Sequence, residues 1–134
     1  MSSQSVDIPD VVEPSEPFWA ATAEHRLVVQ WCPACELPIF YPREACPTCL
    51  SPSLEWRDAA GTGVICAITQ VHHRALKSVA GAAPFLTALV DLDEGVRMPT
   101  NLVGFDDTTP SIGQRVRVSF IESDGRSMPV FGPA

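Results

Sequence analysis

Lysine occurs once in this 134-residue chain, at Lys77, and lysine and arginine together number 9 against 16 acidic residues, giving a net charge of −7. No segment is basic, and more than half of the negative charge lies before Cys32. Nucleic-acid binders carry a positive stripe that displaces counterions from phosphate, so this composition argues against that class. Long apolar runs are also missing. The longest, around Phe85 to Val90, has the length of a strand, which argues against a membrane-spanning helix. With 13 prolines and so little lysine, long helices are disfavoured, and strands and loops should dominate. The opening MSSQSVDIPDVVEPSEP has acids where a secretory signal has a basic start and an apolar core, so a cytoplasmic protein is expected.

Cysteine, by contrast, is patterned. Four of the five cysteines form two matched pairs, Cys32-Pro-Ala-Cys35 and Cys46-Pro-Thr-Cys49. In a reducing compartment paired thiolates bind metal far more often than they form disulfides. Two residues between thiolates let each pair fold as a tight knuckle with backbone N–H groups directed at sulfur. Ten residues between the pairs allow a hairpin, so that both knuckles face one ion. One zinc held by Cys32, Cys35, Cys46 and Cys49 is therefore expected, with no open position to activate water. An iron site of the rubredoxin type uses the same donor set. Such an ion contributes folding free energy on the order of 10 kcal/mol, which a segment of this size needs for want of a core. Trp31, Phe40, Tyr41 and Trp56 flank the cysteines and are expected to supply the apolar cover.

The rest of the chain falls around this ribbon. Residues 1–25 read as an extended arm to Pro14, then a short helix capped by Ser15, with Glu16 and Pro17 in its first turn. Phe18 and Trp19 on that helix pack on their own domain or dock on a partner protein. Residues 26–58 form the ribbon, entered by a strand from Arg26 to Trp31. Residues 59–134 carry five strands: VICAITQVHH, PFLTALVDL, about Val96 to Gly104, RVRVSFIES and a short Pro129 to Phe131. Asp93-Glu94-Gly95 turns the second strand into the third, and Val116, Val118 and Phe120 alternate with Arg115, Arg117 and Ser119. Five strands in about 70 residues, the first of them long, match a Greek-key barrel of the OB type. The connection from Asp106 to Gln114 takes the place of the usual barrel helix.

No catalytic set can be assembled from spacing. His72 and His73 are adjacent on a strand and point to opposite faces. Asp91, Asp93 and Glu94 read as solvated turn formers, and Cys66 as a small hydrophobe with no cationic neighbour in sequence. Arg74 and Lys77, in the loop between the first two barrel strands, are the candidates for a phosphate-bearing ligand.

The run PFWAATAEHRLVVQWCPACELPIFYPREACPTCLSPSLEWRDAAGTGVI, with PFLTALVDLDEGVRM, IGQRVRVSF and the closing PVFGP, resembles the acyl-CoA-associated zinc-ribbon OB-fold proteins, a family first catalogued as a domain of unknown function. The likeness covers nearly the whole chain after Pro14. It departs at Glu36, where many relatives have glycine; the knuckle accommodates this if no left-handed backbone is needed there. The resemblance implies a mainly β accessory subunit without catalytic residues of its own. Its partner would be a thiolase-fold or lipid-transfer-protein-like aldolase subunit acting on an acyl-CoA ligand, in a heterotetramer of two catalytic and two accessory chains. Steroid side-chain degradation is one setting it implies, and if the chain helps to bind CoA, Arg74 and Lys77 of the barrel loop are the candidates. Two alternatives remain: a single-stranded nucleic-acid binder, since ribbons and OB barrels both serve there, and a stand-alone acyl-CoA thioesterase.

Overall fold

The computed structural model describes residues 15–72, 77–78, 81–82, 84–105, 109–123 and 126–134. The expected arm before Ser15, His73, Arg74 and residues 106–108 lie outside the described residues. The chain begins with helix α1, Glu16–Ala23, held in its first turn by Pro17 and by the Ser15 carbonyl, which accepts the N–H groups of Phe18 and Trp19. The Ser15 side chain does not cap the helix as expected; its backbone is already helical, so the hydroxyl is not aimed at the N2 and N3 amides. At the other end Glu24 and His25 close the helix, His25 in the left-handed region with φ 58°.

Three short strands make the ribbon sheet. β1 (Val28–Cys32) lies between β2 (Leu37–Ile39) and β3 (Glu55–Asp58), antiparallel to both. The barrel follows: β4 (Thr62–Val71), β7 (Phe85–Leu92), β8 (Arg97–Leu102), β9 (Arg115–Ser123) and β10 (Arg126–Pro133). Between β4 and β7, β5 (Lys77–Ser78) pairs with β6 (Gly81–Ala82) as a separate small hairpin. The barrel closes in the order β10-β8-β7-β4-β9, every contact antiparallel except β10 with β8. That single parallel contact, at Phe131 opposite Leu102, joins the third barrel strand to the fifth and completes an OB topology. The last strand is longer than Pro129 to Phe131, because β9 offers it a full-length partner from Arg126 to Pro133.

Alternation on β9 holds: Val116 is buried, Val118 and Phe120 pack on the core, and Arg115, Arg117 and Ser119 are exposed. Ile65, Val90, Met98, Val116 and Phe131 are central to one cluster that also takes in Leu27 and Val29 from the ribbon side and Phe18 from the helix. Phe40 and Trp56, expected beside the metal, pack against this cluster as well. The ribbon and the barrel thus share one core, and α1 lies over β10 and β1.

The β7–β8 turn ties the same junction from outside. Gly95, at φ 104°, allows the tight return and leaves Pro38 of the ribbon against it. Asp93 takes a two-pronged bond from Arg115 (2.9 and 3.1 Å) and a hydroxyl bond from Thr62, while Glu94 accepts the Ala60 N–H at 2.8 Å. Asp91 binds Arg97 at 2.7 Å. These acids stay partly exposed, as expected, but each is also bonded: Asp91 to its hairpin neighbour Arg97, and Asp93 to Arg115, which strand pairing brings in from farther along the chain. Arg115 and then Thr62 hold the Asp93 carboxyl down to about 2.

A folded-state value below the unfolded one means that Asp93 contributes stability above roughly pH 4, lost as pH falls towards about 2. Urea unfolding of the wild type and Asp93→Asn should therefore differ at pH 6 and converge across that acid window. The zinc thiolates are common to both proteins, so their own acid loss cancels in the difference. Equal stabilities at pH 6 would show that the pair contributes nothing.

Candidate metal centre

β1 ends on Cys32, and the chain turns at once through the first knuckle; the second hangs from the loop before β3. Each knuckle closes in the same way. The Glu36 N–H bonds the Cys32 carbonyl at 2.7 Å, and the Leu50 N–H bonds the Cys46 carbonyl at 2.8 Å. A backbone N–H also meets the leading sulfur of each pair, Cys35 N–H on Cys32 Sγ at 3.4 Å and Thr48 N–H on Cys46 Sγ at 3.3 Å. Residue types at that spacing do this because a thiolate is a diffuse acceptor that can sit over a tight turn.

The loop between the knuckles is fixed by a buried amide that the sequence did not flag. Gln30 on β1 accepts the Arg43 N–H at 2.7 Å and donates to the Arg43 carbonyl at 2.9 Å, so its side chain stands in for a missing strand. Immediate apolar cover for the cysteines comes from Ile39 and Leu54. The aromatics expected in that role are placed otherwise: Trp31 lies under the Arg57 guanidinium, and Tyr41 is 57% exposed. Phe40 and Trp56, as above, serve the shared core.

All four ligand sulfurs lie within 4.8 Å of one another. Cys32 and Cys49 are 3.6 Å apart, Cys35 and Cys46 3.9 Å. A tetrahedron with bonds of about 2.3 Å has edges of about 3.8 Å, so the donor set fits zinc in size and in chemistry. The sulfurs cannot lose their protons independently at such distances. A hydrogen bond with Cys49, then burial, pushes Cys35 up to about 12, whereas the backbone N–H of Cys49, helped by that of Thr48, draws Cys46 down to about 6. A divalent cation resolves this conflict by favouring all four thiolates, which makes loading proton-coupled and weaker in acid.

Glu36 and Leu50 occupy equivalent positions after their knuckles, with φ 56° and 63°. The left-handed backbone is thus adopted at Glu36 after all: once its N–H has closed the knuckle on the Cys32 carbonyl, φ 56° turns the chain out into β2. A side chain there costs about 1–2 kcal/mol, which glycine avoids.

Elsewhere, the structure leaves the other candidates apart. His72 is exposed at the end of β4, and Lys77 lies in β5, away from the metal ligands in the chain and in the sheet order. Cys66 is the extra residue at a bulge in β4 between Ile65 and Ala67, and it does have a cation within electrostatic reach, Arg97 from β8. One constellation was invisible to spacing. The His25 ring stacks on Phe120 and its Nε2 meets Glu122 Oε2 at 3.0 Å, while Ser127 donates to the same oxygen at 2.9 Å. Serine and histidine each hold the carboxylate rather than each other, so the imidazole is not aligned to take the hydroxyl proton, as it is in a serine–histidine pair. His25 and Ser127 together hold Glu122 below its usual range.

Two outcomes test this centre. Cys46→Ser should lower bound zinc well below one per chain and unfold the ribbon, with metal analysis and the amide spectrum of residues 28–58 as readouts. Glu36→Gly should raise the stability of the zinc-loaded protein by up to about 1 kcal/mol in urea titration. An unchanged or lower midpoint would show that the left-handed turn is not strained.

The chain can now be set beside known proteins. A family model described as "ChsH2, rubredoxin-like zinc ribbon domain" matches residues 19–55, and one described as "ChsH2, C-terminal OB-fold domain" matches residues 56–120. A chain of the solved Ltp2-ChsH2(DUF35) aldolase superposes with a TM-score of 0.83 at 35% identity, covering 94% of this chain and 98% of that one. A DUF35-family protein of unknown function from Sulfolobus solfataricus shares the fold, with a TM-score of 0.58 at 14% identity over 80% of this chain and 78% of that one. Two curated relatives are longer. A Thermomonospora curvata protein named as a probable enoyl-CoA hydratase alpha subunit is 39% identical over 119 residues, which is 87% of this chain and 37% of that protein. The Mycobacterium tuberculosis 3-oxo-4,17-pregnadiene-20-carboxyl-CoA hydratase alpha subunit is 36% identical over 75 residues, 56% of this chain and 24% of that protein. The chain thus spans little more than a third of these relatives at most. With the two knuckles around one zinc site and the five-stranded barrel behind them, the chain belongs to the ChsH2-type DUF35 family of zinc-ribbon OB-fold proteins.

Proposed function

We propose that this chain is a non-catalytic accessory subunit that binds and stabilises a thiolase-fold partner of the lipid-transfer-protein-like aldolase type, acting on acyl-CoA thioesters. The observation that carries this reading is the end-to-end match to a chain of the Ltp2-ChsH2(DUF35) aldolase. Two features of the site support it. The sulfurs form a closed donor set, and in the Ser127, Glu122 and His25 cluster the imidazole bonds the carboxylate and not the serine. We take the assembly to be two catalytic and two accessory chains in the cytoplasm, with steroid or related side chains as the substrate class, in line with the steroid-derived name of the M. tuberculosis relative. Phe18 is 7% exposed and belongs to the chain's own core, so the helix would dock through half-buried Trp19, whose ring lies under Arg126. Arg74 and Lys77 remain the residues proposed for the CoA phosphates.

A second reading rests on the curated relatives, which are named as hydratase subunits. In it the chain serves a hydratase. The two reactions are chemically consecutive, since adding water to an enoyl thioester gives the 3-hydroxyacyl thioester that a retro-aldol step cleaves.

Co-expression with a thiolase-fold protein and, separately, with an enoyl-CoA hydratase from the same genome separates the readings. The first predicts a stable 2+2 complex with the thiolase-fold protein, whose soluble yield and turnover fall sharply when it is made alone. Complex formation with the hydratase only would move the assignment to the second reading. A partner fully stable and active alone, or acyl-CoA turnover by the isolated chain, would remove the accessory role.

A further inference from the structure

The four ligand sulfurs are not equivalent. Cys32 and Cys46 are 0% and 1% exposed, Cys35 is intermediate, and Cys49 is exposed. The N–H bonds divide the same way. Those of Cys35 and Thr48 fall on the sulfurs of Cys32 and Cys46, and among the described residues no backbone N–H reaches Cys49 Sγ. An N–H aimed at a thiolate disperses its charge and dulls it as a nucleophile; burial excludes the reagent. Both protections are absent at Cys49. The next side chain, Leu50, projects into solvent at 75% exposure and gives no cover. The Cys32 sulfur lies 3.6 Å from that of Cys49.

We propose that Cys49 is a modification site at which hydroperoxides and soft alkylating agents open the zinc centre. The Cys49 thiolate attacks the O–O bond of a hydroperoxide: an S–O bond forms, the O–O bond breaks, and hydroxide or alkoxide leaves. Cys32 then attacks the sulfenic sulfur, an S–S bond forms and hydroxide leaves. Two thiolates have given two electrons to one hydroperoxide, and zinc, left with two ligands, departs. With iodoacetamide an S–C bond forms, iodide leaves, and zinc keeps three ligands. In the oxidised chain the ribbon loses the interaction that folds it, and a thiol reductant with added zinc restores it, whereas the thioether left by iodoacetamide is not reversed. This inference concerns the ribbon alone and holds whichever enzyme the chain serves.

The test uses the full-length zinc-loaded chain. Limiting iodoacetamide followed by peptide mass mapping should find Cys49 alkylated at least about tenfold faster than Cys32 or Cys46, and ahead of Cys35. Hydrogen peroxide should give a Cys32–Cys49 disulfide as the first product, with zinc release, read by a chromogenic chelator, following the same time course. Cys49→His keeps a four-ligand tetrahedral donor set and should slow peroxide-driven release about tenfold, whereas Cys35→His should not. First modification at Cys35 or at a buried cysteine, or release from Cys49→His at the wild-type rate, would overturn the proposal. If Cys49→His does not load zinc, the order of labelling in the wild-type chain decides the question alone.

Discussion

Four thiolates gathered around one divalent ion are the constraint on which this molecule depends. The ribbon has only Ile39 and Leu54 as immediate apolar cover for its cysteines, too little to offset the conformational entropy of ordering about thirty residues. Coordination supplies the difference. It also decides where the aromatics go: with the metal holding the knuckles from within, Phe40 and Trp56 are free to face the other way and join Phe18, Val116 and Phe131 in a core common to ribbon and barrel. A ribbon stabilised by its own aromatics would have no such face to share.

That division explains why the orientation of the ribbon is fixed although each of its strands is short. Inside, the shared core supplies non-directional burial. Outside, the β7–β8 turn supplies direction, through Glu94 on the Ala60 N–H, Asp93 on Thr62 and Arg115, and Gly95 beside Pro38. Asp93 and Arg115 fix the turn within the barrel, Glu94 holds the chain at Ala60 just after it leaves the ribbon, and Pro38 against Gly95 is the ribbon's own contact with the turn.

What could be read from the sequence was what depends on local spacing. The CxxC pairs named the ligands, the alternation along Arg115 to Ser123 named the inward face of β9, and Asp93-Glu94-Gly95 named the hairpin turn. What could not be read depends on pairing between distant strands. Arg115 finds Asp93, and Cys66 its cationic neighbour Arg97, only once strands far apart in the chain are brought together. Phe18 stayed open between core and docking surface because a single amphipathic turn does not reveal which surface it covers. β10 looked short because Pro129 and Gly132 depress its local propensity, and its register with β9 overrides them. Glu36 is the most instructive case: the residue type gave no sign of a left-handed backbone, yet the second knuckle repeats that conformation at Leu50, also without glycine.

The repetition at Glu36 and Leu50 bears on how the site is balanced. Both knuckles end on a residue with an unfavourable left-handed backbone, whose N–H has just returned to the carbonyl of the leading cysteine. Metal coordination is strong enough to hold that cost twice over, since it contributes on the order of 10 kcal/mol against about 1–2 for each turn. The strain is therefore tolerated only while the ion is bound. A ribbon with glycine at both positions would lose less order when zinc leaves. In this chain the two strained turns oppose the folded ribbon as soon as coordination is lost, so that folding of the ribbon, and with it the surface it presents beside α1, follows the metal more closely than the count of its ligands alone implies.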